Sequence, residues 1–346
     1  VMNEFSEEKI MGWEVAREKD KLTFRERMAI SRRDINASII GLIVLVGVFA
    51  VGWWLAGNPF VNTVRIQSPA VTAEGWGLHS WGIIWSVVLL AIIFEFLDSA
   101  AGMGYGTAFT PLLLIMGYDP MQIVPVIMIQ QACAGLISSY IHREFGNIEW
   151  KFKPMSESVR LWLIIAIAGS VAVIFSISSV YAVLKLAKVW IKLYVCMLLL
   201  AMGVISIIHA RRSGSYHPRR MFFFGALAGF NKGIGGGGYG PVVTIGGILS
   251  GIPAKSMMAV TALSEGTVCV VSIMVWFFLM NTGVEIDFIL LPSMMLGSTL
   301  AVLAAPYAVR VFPEKRWRFI VPVYCCILAG VSLWKLAPGL LKAFGI

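Results

Sequence analysis

The chain has 346 residues, of which 58% are hydrophobic and only 14% are charged. About a quarter of the residues of a soluble domain are charged, so this composition excludes a soluble enzyme, a disordered chain and a soluble nucleic-acid reader. The apolar residues form continuous runs, which excludes an outer-membrane barrel of alternating strands. The composition predicts an all-α polytopic membrane protein. In such a protein Lys and Arg collect in cytoplasmic loops, so the net charge of +9 indicates how the chain is oriented in the membrane and not which partner it binds.

The chain begins with a charged segment, residues 1–36, which holds eight acidic and eight basic side chains. Its pattern predicts an amphipathic helix on the cytoplasmic face that either lies on the membrane surface or binds a partner. An extra transmembrane helix is predicted at 37–57.

Apolar runs of about 20 residues are long enough to cross a bilayer as helices. Two regions, 81–117 and 221–251, contain only shorter apolar runs, each interrupted by a glycine-rich stretch. Pieces of about ten residues cannot span a bilayer, so each region is predicted to form a re-entrant hairpin or a broken helix. The full-length candidates are 38–56, 120–141, 160–179, 190–210, 254–280, 289–308 and 317–336.

The two interrupted regions resemble each other. A shift of 134 residues places Gly104-Tyr105-Gly106 on Gly238-Tyr239-Gly240, Thr110 on Thr244 and Gly117 on Gly251. The chain is therefore predicted to contain two homologous transporter halves, 81–210 and 221–336, each with one glycine-rich hairpin and three spanning helices.

Basic residues indicate how the halves are oriented. If each glycine-rich region enters and leaves on one side, twenty Lys and Arg lie with the N-terminus and six lie opposite. If each region is one broken crossing, the division is fifteen and eleven. The positive-inside rule favours the first arrangement, in which the halves form an inverted repeat and the N-terminus is cytoplasmic.

Inverted repeats with discontinuous helices place their binding site between the halves, near the middle of the bilayer. Glycine lets the backbone approach a ligand closely, and helix N-termini favour anions. The alternative is that these glycines only permit tight helix packing. The residues predicted to bind the substrate in the two stretches are Gly102, Gly104, Tyr105, Gly106, Thr107, Gly236, Gly237, Gly238, Tyr239 and Gly240.

Polar residues near the middle of two spanning segments extend this site. Gln130, Gln131, Thr261 and Ser264 either donate hydrogen bonds to an oxyanion or join helices. Glu265 is a candidate proton carrier, because ionisable groups at that depth are expensive and usually functional. Its alternative role is that of a neutral structural carboxyl.

Asp98 and Lys232 occupy equivalent positions beside the two glycine stretches. Lys232 is predicted to attract the anion, with Asp98 as its partner in the empty site and as a second proton-coupling residue. The alternative is a permanent structural ion pair. Glu95, one turn before Asp98, is expected to face an aqueous vestibule, and Tyr105 and Tyr239 either contact the ligand or pack the hairpins.

No other chemistry is indicated. The four histidines fall at helix ends or in loops, so neither a metal site nor a cofactor is expected. The predicted partners are a small anionic substrate, the lipid bilayer and a second copy of the chain in a homodimer; no nucleic acid is expected.

Phe230-Asn-Lys-Gly-Ile-Gly-Gly-Gly-Gly-Tyr-Gly-Pro241, followed by Gly251-Ile-Pro-Ala-Lys-Ser256, resembles the repeat motif of the TauE/SafE sulfite exporter family. Ala101–Gly106 and Gly117–Pro120 form a weaker copy, in which Met103 interrupts the glycines. Val260-Thr-Ala-Leu-Ser-Glu265 departs from the Gly-Thr-Ser-like turn that is usual in the family. The resemblance covers roughly residues 80–336 and implies a bacterial inner-membrane permease for sulfite, sulfonates or related small organic anions.

The chain is therefore predicted to be a proton-coupled secondary transporter of small sulfur-containing anions, such as sulfite or sulfoacetate, that works by alternating access. The alternatives are a passive anion channel and a membrane-embedded protein that handles lipid phosphates.

Overall fold

A computed structural model describes residues 10–57, 66, 69, 83–179 and 215–343, together with scattered positions between 193 and 208. Within this part of the chain the structure is almost entirely helical, and the only β-bridge joins Phe152 and Met155. The helices are α1 (Glu14–Asp20), α2 (Phe24–Met28), α3 (Arg32–Gly57), α4 (Trp85–Ala101), π1 (Tyr105–Phe109), α5 (Thr110–Ile115), α6 (Pro120–Glu144), α7 (Glu157–Ile177), α8 (Pro218–Gly235), α9 (Tyr239–Leu249), α10 (Ala254–Asn281), α11 (Leu291–Val311) and α12 (Glu314–Ala343).

Six helical segments of the described chain are long and apolar enough to cross a membrane. They correspond to six of the seven predicted spans and confirm a multi-pass helical protein; the seventh, 190–210, lies largely outside the described residues. The segments are Phe24–Ala56, Pro120–Glu144, Glu157–Ile177, Ala254–Asn281, Leu291–Val311 and Lys315–Pro338.

The first glycine-rich region breaks into short pieces because glycines stop its helices. Helix α4 ends at Gly102, whose φ of 69° is left-handed. The chain then continues through π1 and the short helix α5. Gly117, also at positive φ, ends this piece before α6. Asp119 caps α6 by accepting a hydrogen bond from the Met121 amide at 2.9 Å.

The second glycine-rich region is built in the same order, but its first piece is longer than predicted. The apolar run 221–231 predicts a first piece that ends before Lys232, whereas α8 continues to Gly235 and therefore includes Lys232 in its last turn. This helix ends at Gly236, with φ of 74°, whose amide bonds to the Lys232 carbonyl at 2.8 Å. Helix α9 follows after Gly238 and ends before Gly251, again at positive φ.

The charged N-terminal segment does not form the single amphipathic surface helix that its sequence predicts. Residues 10–31 contain only the short helices α1 and α2, and residues 32–36 already belong to α3. Trp13 and Ala16 are buried, and the Trp13 ring packs edge-to-face on Tyr216, with 5.6 Å between the centroids. The first part of the segment thus folds onto its own chain, where Trp13 and Ala16 are covered.

We call the end of the bundle that carries α1 and α2 the N-terminal face. The N-terminal segment contacts Glu149, Tyr216, Gly251 and Arg310 at this face. At the opposite face, the buried carboxylate of Asp287 accepts hydrogen bonds from the Gln122 side chain at 2.9 Å and from the Ile66 amide at 3.1 Å.

Helices α6 and α10 cross at a point where each helix has a glycine and therefore no side chain. A Cβ added to Gly135 would lie 2.6 Å from the Ala262 carbonyl oxygen, and one added to Gly266 would lie 3.0 Å from the Leu136 amide nitrogen. The two helices therefore approach each other more closely than side chains would permit.

Candidate functional site

The two glycine-rich stretches contact each other directly. A Cβ added to Gly106 would collide with the Gly236 carbonyl, and one added to Gly240 would collide with the Gly102 carbonyl. These two contacts are equivalent, because a shift of 134 residues turns Gly102 into Gly236 and Gly106 into Gly240. Glycine is required at these positions because main chain meets main chain.

Hydroxyl groups join the stretches at the same place. The Gly238 amide donates to Thr107 Oγ1 at 3.2 Å. Thr244 Oγ1 lies 3.1 Å from the Gly102 carbonyl oxygen, to which it can donate, and 2.8 Å from Thr261 Oγ1. Of the predicted site residues, Thr107, Gly238 and Thr261 are therefore engaged by the protein itself.

A buried polar cluster lies beside the contact between the stretches. Lys232, which is fully buried, donates from Nζ to Glu265 Oε1 at 2.6 Å and to Gln131 Oε1. Gln131 Nε2 donates to Asp98 Oδ2 at 3.3 Å. The amide of Tyr105, at the start of π1, donates to Asp98 Oδ1 at 3.0 Å. One hydrogen-bonded chain thus runs from Glu265 through Lys232 and Gln131 to Asp98.

Glu95 adds another carboxyl group to this cluster. It is only 2% exposed, and its oxygens accept hydrogen bonds from Ser99 Oγ at 2.8 Å and from Gln130 Nε2 at 2.7 Å. The Glu95 carboxyl group is therefore hydrogen-bonded by the protein and almost fully buried, although it lines the small cavity described next. Its position one helical turn before Asp98, in an otherwise apolar run, was the signal for a shared site.

A small cavity opens beside these groups. Its empty space, including its mouth, is about 290 Å³. Helices α4, α6 and α10 supply most of its wall. The lining residues are Glu95, Asp98, Ser99, Gly102, Gln131, Ala134, Gly135, Thr261, Ala262 and Glu265.

The predicted pairing of Lys232 with Asp98 is replaced by pairing of Lys232 with Glu265. Helix α8 extends through Lys232, and this places the ammonium group against α10. Asp98 instead accepts from Gln131 and from the main chain. The amide predicted to bind an anion at the start of the first short helix is thus already bound to a carboxylate.

Other predicted residues lie around the cluster without joining its hydrogen-bonded chain. Tyr105 and Tyr239 are fully buried, and the Tyr105 ring packs edge-to-face on Phe109, with centroids 5.1 Å apart. Ser264 Oγ bonds to the Thr261 carbonyl of its own helix at 3.1 Å. Within the described residues, no group of three or more His, Cys, Asp or Glu side chains could hold a metal ion. The roles of all these residues in binding or proton transfer stay predictions.

Both glycine stretches, and the polar cluster between them, fall inside a region that matches a known family. The family model for the sulfite exporter TauE/SafE covers residues 87–333. The chain belongs to the TauE/SafE sulfite exporter family. The charged N-terminal segment lies outside the match.

Among curated proteins, the chain is similar to the probable membrane transporter protein YtnM of Bacillus subtilis (strain 168). The two are 24% identical over 236 residues, which cover 64% of this chain and 73% of YtnM. No solved structure matches the chain significantly. The TauE/SafE family and this relative make the protein a membrane transporter.

Proposed function

We propose that this TauE/SafE protein is a proton-coupled secondary transporter of small sulfur-containing anions, such as sulfite or a sulfonate, in the bacterial inner membrane. The observation that carries the proposal is the chain Glu265–Lys232–Gln131–Asp98, buried where the two glycine stretches meet. Buried ionisable groups inside a membrane bundle are expensive and usually serve transport.

The charge of the cluster favours coupling to protons. Glu95, Asp98 and Glu265 bring three carboxyl groups to a site with one ammonium group, Lys232. Several buried carboxylates repel one another and any incoming anion. An anion can therefore enter the cavity only when protons neutralise part of this charge, which makes proton binding and anion binding interdependent.

The contacts around the cluster support an inverted repeat. The hydrogen bond from Gln131 to Asp98 and the ion pair of Lys232 with Glu265 occupy equivalent positions, 134 residues apart. The N-terminal segment contacts both Glu149 and Tyr216, as expected if each glycine-rich region enters and leaves on one side. With the positive-inside rule, this arrangement favours a cytoplasmic N-terminus.

The same geometry supports alternating access. The glycine stretches touch through main-chain atoms, which favours a site that opens by movement of the halves over a permanently open anion pore. Hydrogen bonds also join the halves at the opposite face, where Gln122 bonds to Asp287. The substrate class is supported by the name of the family, sulfite exporter.

The proposal is tested by flux in proteoliposomes loaded with sulfite or sulfoacetate, with and without a pH gradient. The wild-type protein should give saturable flux that the gradient accelerates. Glu265→Gln keeps an oxygen that accepts from Lys232 but cannot carry a proton. Its acceleration by the gradient should fall about tenfold, within the range typical of coupling between two sites.

The matched control is Glu285→Gln, which removes an exposed carboxyl group; it should behave as the wild type. Unchanged proton dependence in Glu265→Gln would remove this residue from the coupling path. Flux that does not saturate and ignores the gradient would indicate the passive channel.

A further inference from the structure

The N-terminal segment, residues 10–31, binds both halves of the transporter at the N-terminal face. The Gly12 carbonyl accepts from the Glu149 amide at 2.8 Å and the Met11 carbonyl from the Ser158 amide at 3.0 Å, both in the first half. In the second half, Asp20 Oδ1 lies 2.7 Å from Lys255 Nζ. A rigid connection of this kind opposes any movement that separates the halves at this face.

The contact with Lys255 is the most unusual part of this connection. The Lys255 side chain is only 1% exposed, whereas that of Asp20 is 23% exposed. The ammonium group also donates to the Arg310 carbonyl at 3.2 Å. A buried ammonium group is tolerated only when an anion neutralises it. The transporter fold therefore contains a cation whose carboxylate partner comes from a segment outside the family match.

Lys255 is aligned with the cavity. It lies in the first turn of α10, seven residues before Ala262, which lines the cavity. Seven residues are close to two turns, so both side chains project from the same side of the helix about 10 Å apart. Lys255 thus lies between the N-terminal face and the carboxyl cluster, on the side of α10 that carries Ala262.

The segment is anchored at its other end, so that Asp20 can detach without losing the whole segment. Arg310 is buried and donates to the Ala29 carbonyl at 2.8 Å and to Asp34 Oδ2 at 2.9 Å. Its guanidinium group also lies 5.0 Å from the centre of the Phe145 ring. On the other side of α1, the carbonyl groups of Met11 and Gly12 are hydrogen-bonded to the first half, so the seven residues of α1 lie between two anchors.

Tyr216, before the first helix of the second half, is half-buried beside Trp13, the residue that precedes α1. The Trp13 ring packs on it, and the burial raises the pKa of Tyr216 to about 12. Release of α1 would uncover this side chain together with Lys255.

We infer that Lys255 is a second anion-binding site, for a small oxyanion of the sulfite or sulfonate class, and that Asp20 occupies it as an internal anion while the N-terminal face is closed. The N-terminal segment is then an autoinhibitory plug that the transported anion displaces. The identity of the oxyanion rests on the proposed function; the exchange of anions at Lys255 does not.

The first experiment compares sulfite flux in Asp20→Asn and in Glu18→Gln, a matched loss of an exposed carboxyl group in the same helix. Asp20→Asn should transport about fivefold faster at low sulfite, the lower end of typical coupling effects, because Asn removes the negative charge that Asp20 places against the ammonium group. Glu18→Gln should match the wild type. Equal rates for the two variants would overturn the autoinhibitory role.

The second experiment follows the plug without transport. Ala16 is 2% exposed, so a cysteine placed there should react slowly with a bulky maleimide in detergent, after subtraction of the labelling of the native cysteines. Sodium sulfoacetate, a sulfonate that does not add to maleimides, should accelerate its labelling about fivefold, and sodium chloride of the same ionic strength should do so much less. In a Lys255→Gln background, labelling should already be fast and indifferent to sulfoacetate.

Equal acceleration by chloride and sulfoacetate would overturn the oxyanion site, because screening of the ion pair would then explain the release. Acceleration by sulfoacetate that persists in Lys255→Gln would also overturn it. If sulfoacetate releases the plug but no sulfur anion is transported, the inference stands and the proposed substrate fails.

Discussion

The two glycine-rich regions share a backbone design but differ in the chemistry beside it. Asp98 stands in the first where Lys232 stands in the second, and Gln131 stands where Glu265 stands. In the first region, Asp98 accepts a hydrogen bond from α6. In the second region, Lys232 donates one to α10. Two regions of similar backbone thus make hydrogen bonds of opposite polarity.

This difference explains how a symmetric framework can hold an asymmetric charge. A protein made of two copies of the first half would bury acidic side chains with no basic side chain beside them. A protein made of two copies of the second half would bury two Lys–Glu ion pairs at the centre. The mixed arrangement leaves one ammonium group bridging Glu265 and Gln131. Acids that lack a fixed cationic partner remain available for protons.

The largest expected effect comes from removing the base that distinguishes the second half. Lys232→Met leaves Glu265 buried without its cation, which typically costs about 3–5 kcal/mol. We expect this loss in the free energy of unfolding, measured by denaturant titration in detergent micelles, together with loss of sulfite flux. The control Lys315→Met, at an exposed position, should change neither.

The double variant Lys232→Met/Glu265→Gln removes both charges and should recover most of the stability but not the flux. Stability that stays low in the double variant would mean that Lys232 acts through packing and not through its charge.

The next largest effect should come from the contact that the two stretches share. Gly237→Ala would place a methyl group against the Gly106 carbonyl, while Gly235→Ala meets no atom within 4 Å. Overpacking of this kind costs about 1–3 kcal/mol. We expect Gly237→Ala to lower the unfolding free energy by that amount and to slow sulfite flux, and Gly235→Ala to do neither. Equal effects would contradict a direct contact between the stretches.

The smallest effect concerns an equivalent pair of threonines. Thr244 is hydrogen-bonded to the Gly102 carbonyl and to Thr261, whereas the buried hydroxyl of Thr110 has no partner among the described residues. Thr244→Val should therefore cost about 1 kcal/mol, and Thr110→Val should cost nothing or stabilise slightly. The same measurement of unfolding applies, and an equal loss for both would show that the halves do not differ here.

Much of the fold could be predicted because membrane-spanning helices can be recognised in a sequence by the length and the hydropathy of their apolar runs. Six spans and the family follow from apolar runs and from the motif around Gly238. The positions of the breaks also follow, since Gly102 and Gly236 adopt left-handed backbone conformations that other residues disfavour.

The partners within the site could not be predicted, because they depend on where each helix ends. Lys232 precedes a run of glycines in the sequence and therefore looks like a loop residue. In the structure it belongs to the last turn of α8, which contains glycines, and its ammonium group consequently reaches Glu265. The burial of Glu95 could not be predicted either, because charge alone does not distinguish a buried carboxyl group from a solvated one. The burial of Trp13 depends on Tyr216, about two hundred residues away in the chain, and no local pattern reports such a contact.

The crossing of α6 and α10 at Gly135 and Gly266 has a mechanical consequence. Interlocked side chains resist sliding, because each must leave one groove before it enters the next. Here bare main chain meets bare main chain, so one helix can pivot over the other with little steric resistance. The crossing would then act as a pivot, around which the ends of the two helices move while their middles stay in contact.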